Sequence, residues 1–148
     1  MALDLQTISD RMEIEDVLTA YSIAIDSKQF DDLLPLFTAD AVCDYGSLGS
    51  PEGPRAIADL IHTTLKTLDA TQHLLGKSVI VVDGDTADVR TYLISQHIRD
   101  AAPGEKHYFI GGEYIDTMVR TADGWKFQTR RLSRMWTQGD RAVIQRST

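Results

Sequence analysis

Two histidines and one aspartate stand where they would be able to move a proton. His73 lies at the start of a long predicted strand, His97 lies near the end of the next one, and Asp26 ends the first predicted helix. Imidazole titrates near neutral pH, and a carboxylate that holds one ring nitrogen leaves the other free to act as a base. An Asp26–His73 pair would therefore support general acid–base catalysis. The alternatives are a structural histidine in the strand and a solvated acid at the helix end.

The surroundings of the other histidines differ. His97 shares one strand face with Ser95 and Leu93, and a polar end on an otherwise apolar face is typical of a pocket wall. A strand end that reaches solvent gives the same pattern. His62 and His107 are predicted to lie at the surface.

Other motifs that carry chemistry are absent from the sequence. There is no Walker loop, no Gly-x-Gly-x-x-Gly, no zinc-type spacing, no His-Glu-x-x-His and no Gly-x-Ser-x-Gly. The single cysteine, Cys43, follows Ala41 and Val42, and it is predicted to be a small buried side chain. The sequence therefore predicts neither a metal nor an organic cofactor.

Composition excludes several classes of protein. The chain has 148 residues, 43 % hydrophobic and 25 % charged, so one folded domain spanning residues 1–148 is expected. Fifteen basic and 22 acidic residues give a net charge of −7, which argues against a nucleic-acid partner. No apolar run approaches the roughly 20 residues that span a bilayer, and the N-terminus lacks a signal-peptide pattern. A cytoplasmic protein with no membrane partner is predicted.

The spacing of apolar residues predicts three helices. The first covers residues 10–26, where Asp10 and Glu13 resemble a capping box. A short second helix covers residues 30–37. A third begins near Pro54, because proline suits the first turn of a helix.

After the helices the apolar period changes to two, which indicates strands. They are predicted at residues 72–82, 86–99, 107–120 and 125–136, with a short strand near 41–45. Helices followed by a run of strands predict an α+β fold, a cone-shaped α+β barrel with three N-terminal helices packed on a strongly curved, mainly antiparallel sheet. The mouth of a cone suits a pocket for a small molecule. The other face of the sheet needs cover, which predicts a homo-oligomer.

Three further residues are candidates for this pocket. Tyr21 lies on the helix stripe, where it would either pack in the core or donate a hydrogen bond to a developing enolate oxygen. Tyr45 follows the short strand and would line the pocket or its rim. Arg131 shares strand parity with Phe127, and in one interpretation it points into the cone and binds a carboxylate or carbonyl. A surface or subunit-interface arginine is the other interpretation, and the pattern favours it.

Four segments follow a known pattern, at residues 14–33, 36–42, 53–57 and 123–127. They include LFTADAV at 36–42 and DGWKF at 123–127. In this order they resemble SnoaL-like proteins of the nuclear transport factor two-like superfamily. The similarity is closest to the branch of scytalone dehydratase, the bile-acid dehydratases and the hexachlorocyclohexane dehydrochlorinase. These enzymes pair an aspartate at the end of helix one with a histidine at the start of the first long strand, and Asp26 and His73 match those positions.

The same branch implies roles for two more residues. The bile-acid dehydratases carry a tyrosine five residues before the aspartate, where Tyr21 stands, while the dehydrochlorinase has a lysine there. Scytalone dehydratase has a second pocket histidine on the next strand, near the place of His97. The bile-acid enzymes also have a carboxylate near Ser95, and this chain has none there.

The resemblance implies a cofactor-independent lyase that performs dehydration on a small hydrophobic cyclic molecule. His73 would be the base, Asp26 would orient it, and His97 would return a proton to the leaving hydroxyl. An isomerase or polyketide cyclase using the same base, and a non-catalytic ligand-binding or assembly subunit, are the alternatives. Relatives assemble as trimers or dimers, and a trimer is the expectation.

Overall fold

The computed structural model describes residues 2–145, which form two α-helices, three short 3-10 helices and five strands. The helices are α1 (Leu5–Asp26) and α2 (Pro54–Leu65), with 3-10 helices at Phe30–Leu36, Gly46–Leu48 and Arg141–Val143. The strands are β1 (Phe37–Asp44), β2 (Ala70–Asp83), β3 (Thr86–Ile98), β4 (His107–Thr121) and β5 (Gly124–Gly139).

The five strands form one curved sheet in the order β1-β5-β4-β3-β2, in which only the β1–β5 pair is parallel. The helices cover one face, with α1 against β2 and β5 and α2 against β1. Burial alternates along β3, so that Val89, Leu93 and His97 face the helices while Tyr92 and Ile94 face outward. The predicted α+β cone is confirmed.

The start of α1 differs from the prediction. The helix begins at Leu5, and its cap is Asp4, whose side chain accepts a hydrogen bond from the Thr7 N–H at 2.7 Å. Asp10 is instead buried inside the helix, where Arg120 Nη2 donates to Asp10 Oδ2 at 2.8 Å. The proposed capping box at Asp10 is therefore wrong, because this carboxylate serves as an anchor to β4 rather than as a cap.

Other boundaries shift by a few residues. Phe37 opens β1 rather than closing the second helix, and β5 continues to Gly139.

The burial of three predicted side chains agrees with the sequence analysis. Cys43 is buried, as predicted. His62 and His107 are exposed, as predicted, with His62 stacked on Phe30. Across residues 2–145, no helix combines the length and apolarity that crossing a membrane requires.

A bulge in β5 reverses the side-chain alternation that the sequence suggested. Phe127 pairs with Met118, but the next β4 residue, Thr117, pairs with Thr129, so β5 carries one extra residue between them. Beyond this point Arg130 faces inward and is 1 % exposed, whereas Arg131 faces outward and is exposed. Arg131 therefore lies at the surface, as the favoured interpretation predicts, and its proposed role inside the cone is wrong.

Candidate active site

Asp26 and His73 are in direct contact near the wall of the cone. The imidazole Nδ1 of His73 lies 2.8 Å from Asp26 Oδ1, and the backbone N–H of His73 donates to Asp26 Oδ2 at 2.8 Å. Thr71 Oγ1 donates a third hydrogen bond to Oδ1 at 2.9 Å. Three donors from one strand therefore fix the carboxylate at the end of α1.

The end of α1 has a feature that holds this geometry. Lys28 has a φ of 58°, a left-handed conformation that usually favours glycine. Its Nζ donates to the Leu68 carbonyl, just before β2 begins. The side chain therefore ties the helix end that carries Asp26 to the strand that carries His73.

The hydrogen bonds of the pair favour a charged Asp26 carboxylate and leave Nε2 of His73 outside the contact. Burial raises the pKa of Asp26, but the hydrogen bonds from His73 and Thr71 outweigh burial and hold that pKa below its usual range. An ionised carboxylate only accepts hydrogen bonds, so Nδ1 of His73 carries the proton. Nε2 of His73 is the ring nitrogen that does not contact Asp26, and it is the one available to act as a general base.

His73 borders a mostly apolar cavity between the helices and the sheet. The volume of this cavity is about 60 Å³. Its polar lining consists of Tyr21, Tyr45, Thr64, His73, Ser95, His97 and Tyr114. Its apolar lining consists of Ile25, Leu48, Leu60, Ile61, Leu65, Leu93, Ile110, Leu132 and Ile144. Asp26 does not line the cavity, so it contacts His73 from behind.

His97 lies beside His73 in the cavity wall, with ring centroids 5.6 Å apart in an edge-on arrangement. Its Nδ1 is 3.0 Å from the carbonyl oxygen of Tyr108, which only accepts, so Nδ1 is the donor. Burial lowers the pKa of His97 to about 4, and the charge of His73 adds to this effect. At neutral pH His97 therefore presents an unprotonated Nε2, which accepts a hydrogen bond and has no proton to donate.

Tyr21 and Tyr45 meet at another part of the cavity. Their hydroxyl oxygens lie 2.8 Å apart, so one hydroxyl donates to the other and the second keeps a hydrogen for a ligand. Burial raises the pKa of both tyrosines well above the usual value, and both are neutral. The pair offers a hydrogen-bond donor for an oxygen atom in the cavity.

Behind Tyr21 lies a buried ion pair that sequence reasoning missed. Arg130 Nε and Nη2 donate to the two oxygens of Asp116 at 2.8 and 2.9 Å. The guanidinium carbon sits 3.7 to 4.3 Å from the ring centroids of Tyr114, Phe127 and Tyr21. Nη1 has no hydrogen-bond partner and rests among these aromatic faces. The pair supports Tyr21 from outside the cavity.

The structure thus brings together five of the six predicted site residues and leaves one out. Asp26 and His73 form one contact, Tyr21 and Tyr45 form another, and His97 lies in the same cavity wall. Arg131 lies on the outer face. The sequence shows two adjacent arginines, Arg130 and Arg131, but it does not show which of them faces inward. The bulge in β5 turns Arg130 inward, and the apolar pattern gives no sign of that bulge.

Metal binding has no evident site in the part of the chain that the structure describes. No three His, Cys, Asp or Glu side chains come together there in a group that would hold an ion. The Asp26–His73 contact uses both groups in a hydrogen bond, and a pair of this kind needs no metal to move a proton.

Fold and site together define a class, the α+β cones that enclose a small-molecule cavity between helices and a curved sheet. Residues 6–131 match the SnoaL-like domain, and the chain belongs to that family. Uncharacterized proteins from Mycobacterium tuberculosis and Mycobacterium bovis are 39 % identical over 130 residues, covering 86 % of this chain and 87 % of each relative.

Solved structures show the same fold at lower identity. The Kfla4162 protein from Kribbella flavida has a TM-score of 0.85 at 22 % identity, covering 93 % of this chain and 98 % of that one. A scytalone dehydratase-like protein from Novosphingobium aromaticivorans DSM 12444 has a TM-score of 0.81 at 23 % identity, with coverages of 89 % and 88 %. Hexachlorocyclohexane dehydrochlorinase LinA-type3 from Novosphingobium barchaimii LL02 has a TM-score of 0.82 at 18 % identity, with coverages of 92 % and 93 %.

Proposed function

We propose that the protein is a cofactor-independent lyase that removes water from a small, mostly apolar cyclic molecule. The observation that carries the proposal is the 2.8 Å contact between Asp26 and His73, with His73 at the cavity wall. Two structures of the same fold, one named for a scytalone dehydratase and one for a hexachlorocyclohexane dehydrochlorinase, favour an elimination.

The first step is removal of a carbon-bound proton beside a carbonyl group. Nε2 of His73 takes the proton and the ring becomes an imidazolium. Asp26 accepts the Nδ1–H throughout, which fixes the tautomer and stabilises the positive charge. Positioned base catalysis of this kind contributes about 10²- to 10⁴-fold in rate.

The electron pair from the broken C–H bond moves onto the carbonyl oxygen, and a donor is needed there. The Tyr21–Tyr45 pair supplies a neutral hydroxyl with one hydrogen directed away from its own hydrogen bond. A preorganised donor at a developing oxyanion is worth roughly 3 kcal/mol.

Departure of the hydroxyl needs a proton, and His73 is the group that has one. His97 was expected to return this proton, but its donor nitrogen is committed to the Tyr108 carbonyl and its other nitrogen is bare. The imidazolium of His73 therefore passes its proton to the leaving oxygen, the C–O bond breaks, and water forms. Nε2 of His97 accepts a hydrogen bond from the substrate hydroxyl before the reaction.

The experiment that tests this proposal measures exchange of the carbon-bound hydrogen of a substrate with solvent deuterium. Hydroxylated cyclic ketones are incubated in D₂O with the wild-type protein, and mass spectrometry records deuterium gain and loss of water. The variant His73→Gln is expected to reduce both by at least 10²-fold. His107→Gln, at an exposed histidine on the sheet, is the matched control and should retain full activity.

The outcomes separate the candidate functions. Loss of water from the substrate supports the lyase. Deuterium gain without loss of water indicates an isomerase or a polyketide cyclase, which uses the same base and sends the enolate elsewhere. If a ketone binds but undergoes neither reaction, the acid–base proposal is contradicted. That result favours a non-catalytic ligand-binding or assembly subunit.

The outer face of the sheet supports assembly into a homo-oligomer. Val79, Val81 and Tyr92 are each at least 60 % exposed there. Asp88 and Arg131 add charges of both signs, which suits contact with the same face of another copy. A trimer is the expected state, and a monomeric mass by light scattering would contradict it.

A further inference from the structure

We propose that the mouth of the cavity contains an anion-binding subsite formed by Arg134 and Arg141, so that the substrate is an apolar molecule with one carboxylate or similar anionic group. The inference deepens the proposed function, on which it rests, because it concerns the ligand of the same cavity. It identifies a class of ligand rather than a reaction.

Both arginines contact the loop at the edge of the cavity. Arg134 Nη2 donates to the Tyr45 carbonyl at 3.3 Å, and Arg141 Nη2 donates to Ser47 Oγ at 2.5 Å. Tyr45 and Leu48, at the two ends of this loop, line the cavity. The two guanidinium groups therefore approach the same short segment of the cavity rim.

A surface groove leads from Arg141 to the cavity. Six residues line the groove: Ser47, Leu48, Thr64, Arg141, Ile144 and Gln145. Leu48, Thr64 and Ile144 also line the cavity, so the groove and the cavity share one wall. A ligand whose apolar part lies inside the cavity would have its polar end in this groove.

Within residues 2–145 the arginines fall into two groups, and Arg134 and Arg141 share the lack of a carboxylate partner with Arg11, Arg99 and Arg131. Arg55, Arg90, Arg120 and Arg130 each form an ion pair with an Asp or Glu. Within residues 2–145, Arg134 and Arg141 form no such pair, and Nε of Arg134 is buried without an acceptor.

The nearest acid in sequence does not neutralise them. Asp140 turns its Oδ1 to the N–H of Ala142, where it caps the last 3-10 helix. The chain has a net charge of −7, so acids are abundant, yet the described part of the mouth leaves two cations for a ligand.

The charge of Arg134 reaches the cavity interior. Burial is the main cause of the low pKa of His97, followed by the charge of His73, and Arg134 lowers that pKa further. A guanidinium is planar and never loses its proton, and it binds a carboxylate through two parallel hydrogen bonds. An anionic ligand group at the mouth thus has a permanent partner.

The experiment compares two probes that differ in charge. Cinnamate and cinnamamide have the same apolar frame, and isothermal titration calorimetry at pH 8 measures the dissociation constant of each. The wild-type protein is expected to bind cinnamate at least tenfold more tightly. Arg134→Gln and Arg141→Gln should each remove most of this preference while leaving the affinity for cinnamamide unchanged.

Matched variants separate the possible outcomes. Arg131→Gln changes an exposed arginine on the same strand but on the outer face, and it should keep the full preference. Equal binding of both probes by the wild-type protein, no binding of cinnamate, or an equal loss of both probes in the variants overturns the subsite. An equal loss of affinity for both probes would mean that the two arginines only stabilise the loop. His73→Gln should abolish exchange and retain the preference, so the two proposals fail independently.

Discussion

Asp26 and Asp116 each bind a basic side chain inside the cone, but their surroundings differ in every other respect. Asp26 is half-buried, and its partner is an imidazole at a cavity wall. Asp116 is fully buried, and its partner is a guanidinium enclosed by three aromatic rings. An imidazole has two ring nitrogens, one of which can accept a proton, whereas a guanidinium has no acceptor and keeps its charge.

The difference shows how to distinguish a functional ion pair from a structural one. A pair that is proposed to act in catalysis leaves one ring nitrogen outside the contact and borders a cavity, as His73 does. A structural pair satisfies its charges against each other, and Asp116 fully occupies two N–H groups of Arg130. Burial alone does not separate them, since the more deeply buried pair is the one without a cavity.

The largest expected effect tests the structural side of this comparison. Arg130→Met leaves the Asp116 carboxylate buried without a partner, and we expect a loss of about 3–5 kcal/mol in the free energy of unfolding. His73→Gln should lose only about 1 kcal/mol, the usual net value of a hydrogen bond. Urea unfolding measures both.

Two controls belong with that measurement. Arg131→Met, at the exposed neighbour, should stay within about 0.5 kcal/mol of the wild-type protein. Replacing both members of the buried pair, Arg130→Met with Asp116→Leu, should recover much of the loss. If His73→Gln proves as destabilising as Arg130→Met, the two pairs are both structural and the comparison fails.

A second effect, smaller, appears as a dependence of stability on pH. The pKa of His97 is about 4 in the folded protein and 6.5 when unperturbed, so the unfolded chain binds more protons between these values. The free energy of unfolding should therefore fall by roughly 3 kcal/mol as the pH decreases from 6.5 to 4. Arg130 keeps its charge across this range.

Urea unfolding at several pH values checks this, with His97→Gln as the variant that removes the dependence. Asp26 contributes in a different window, because its folded pKa is depressed. Its contribution is complete above its usual pKa of 3.8 and is lost as the pH falls through the lower folded value. If the free energy of unfolding changes equally with pH in His97→Gln and in the wild-type protein between pH 6.5 and 4, His97 is not a neutral histidine that loses its burial on unfolding.

The smallest effect concerns the third donor to Asp26. Thr71→Val removes one hydrogen bond to the carboxylate, and we expect a loss of about 1 kcal/mol in the free energy of unfolding at pH 7. Thr129→Val, on the exposed face of β5, is the matched control and should cost less. An equal cost at both positions would mean that Thr71 does not help to hold the dyad.

Periodicity predicts most of this fold because burial follows it closely. The inward face of β3 alternates without interruption from Val89 to His97, and the predicted pocket histidine lies where the pattern places it. The same reasoning failed in β5, where one extra residue exchanged the faces of Arg130 and Arg131. A bulge is set by pairing with the neighbouring strand, and single-strand patterns do not record it.

The residues of the site were harder to predict for a related reason. Asp26 lies off the apolar stripe of α1, and nothing in its helical spacing turns it toward His73. Its partners, Thr71 and the His73 backbone, come from a strand far along the chain. The sequence pattern alone does not pair Asp26 with His73. The pairing was predicted only from the resemblance to a family that has an aspartate and a histidine at these two positions.

The earlier start of α1 has a mechanical consequence. Asp10 binds Arg120 of β4 and Asp26 binds His73 of β2, so the helix is fastened to the sheet at both ends. At a rise of 1.5 Å per residue, the span between these fastenings is about 24 Å. The helix behaves as a beam supported at two points, which resists tilting and sliding far better than one held at a single end. The position of His73 at the cavity wall is therefore held partly by Asp10, a carboxylate near the opposite end of the helix.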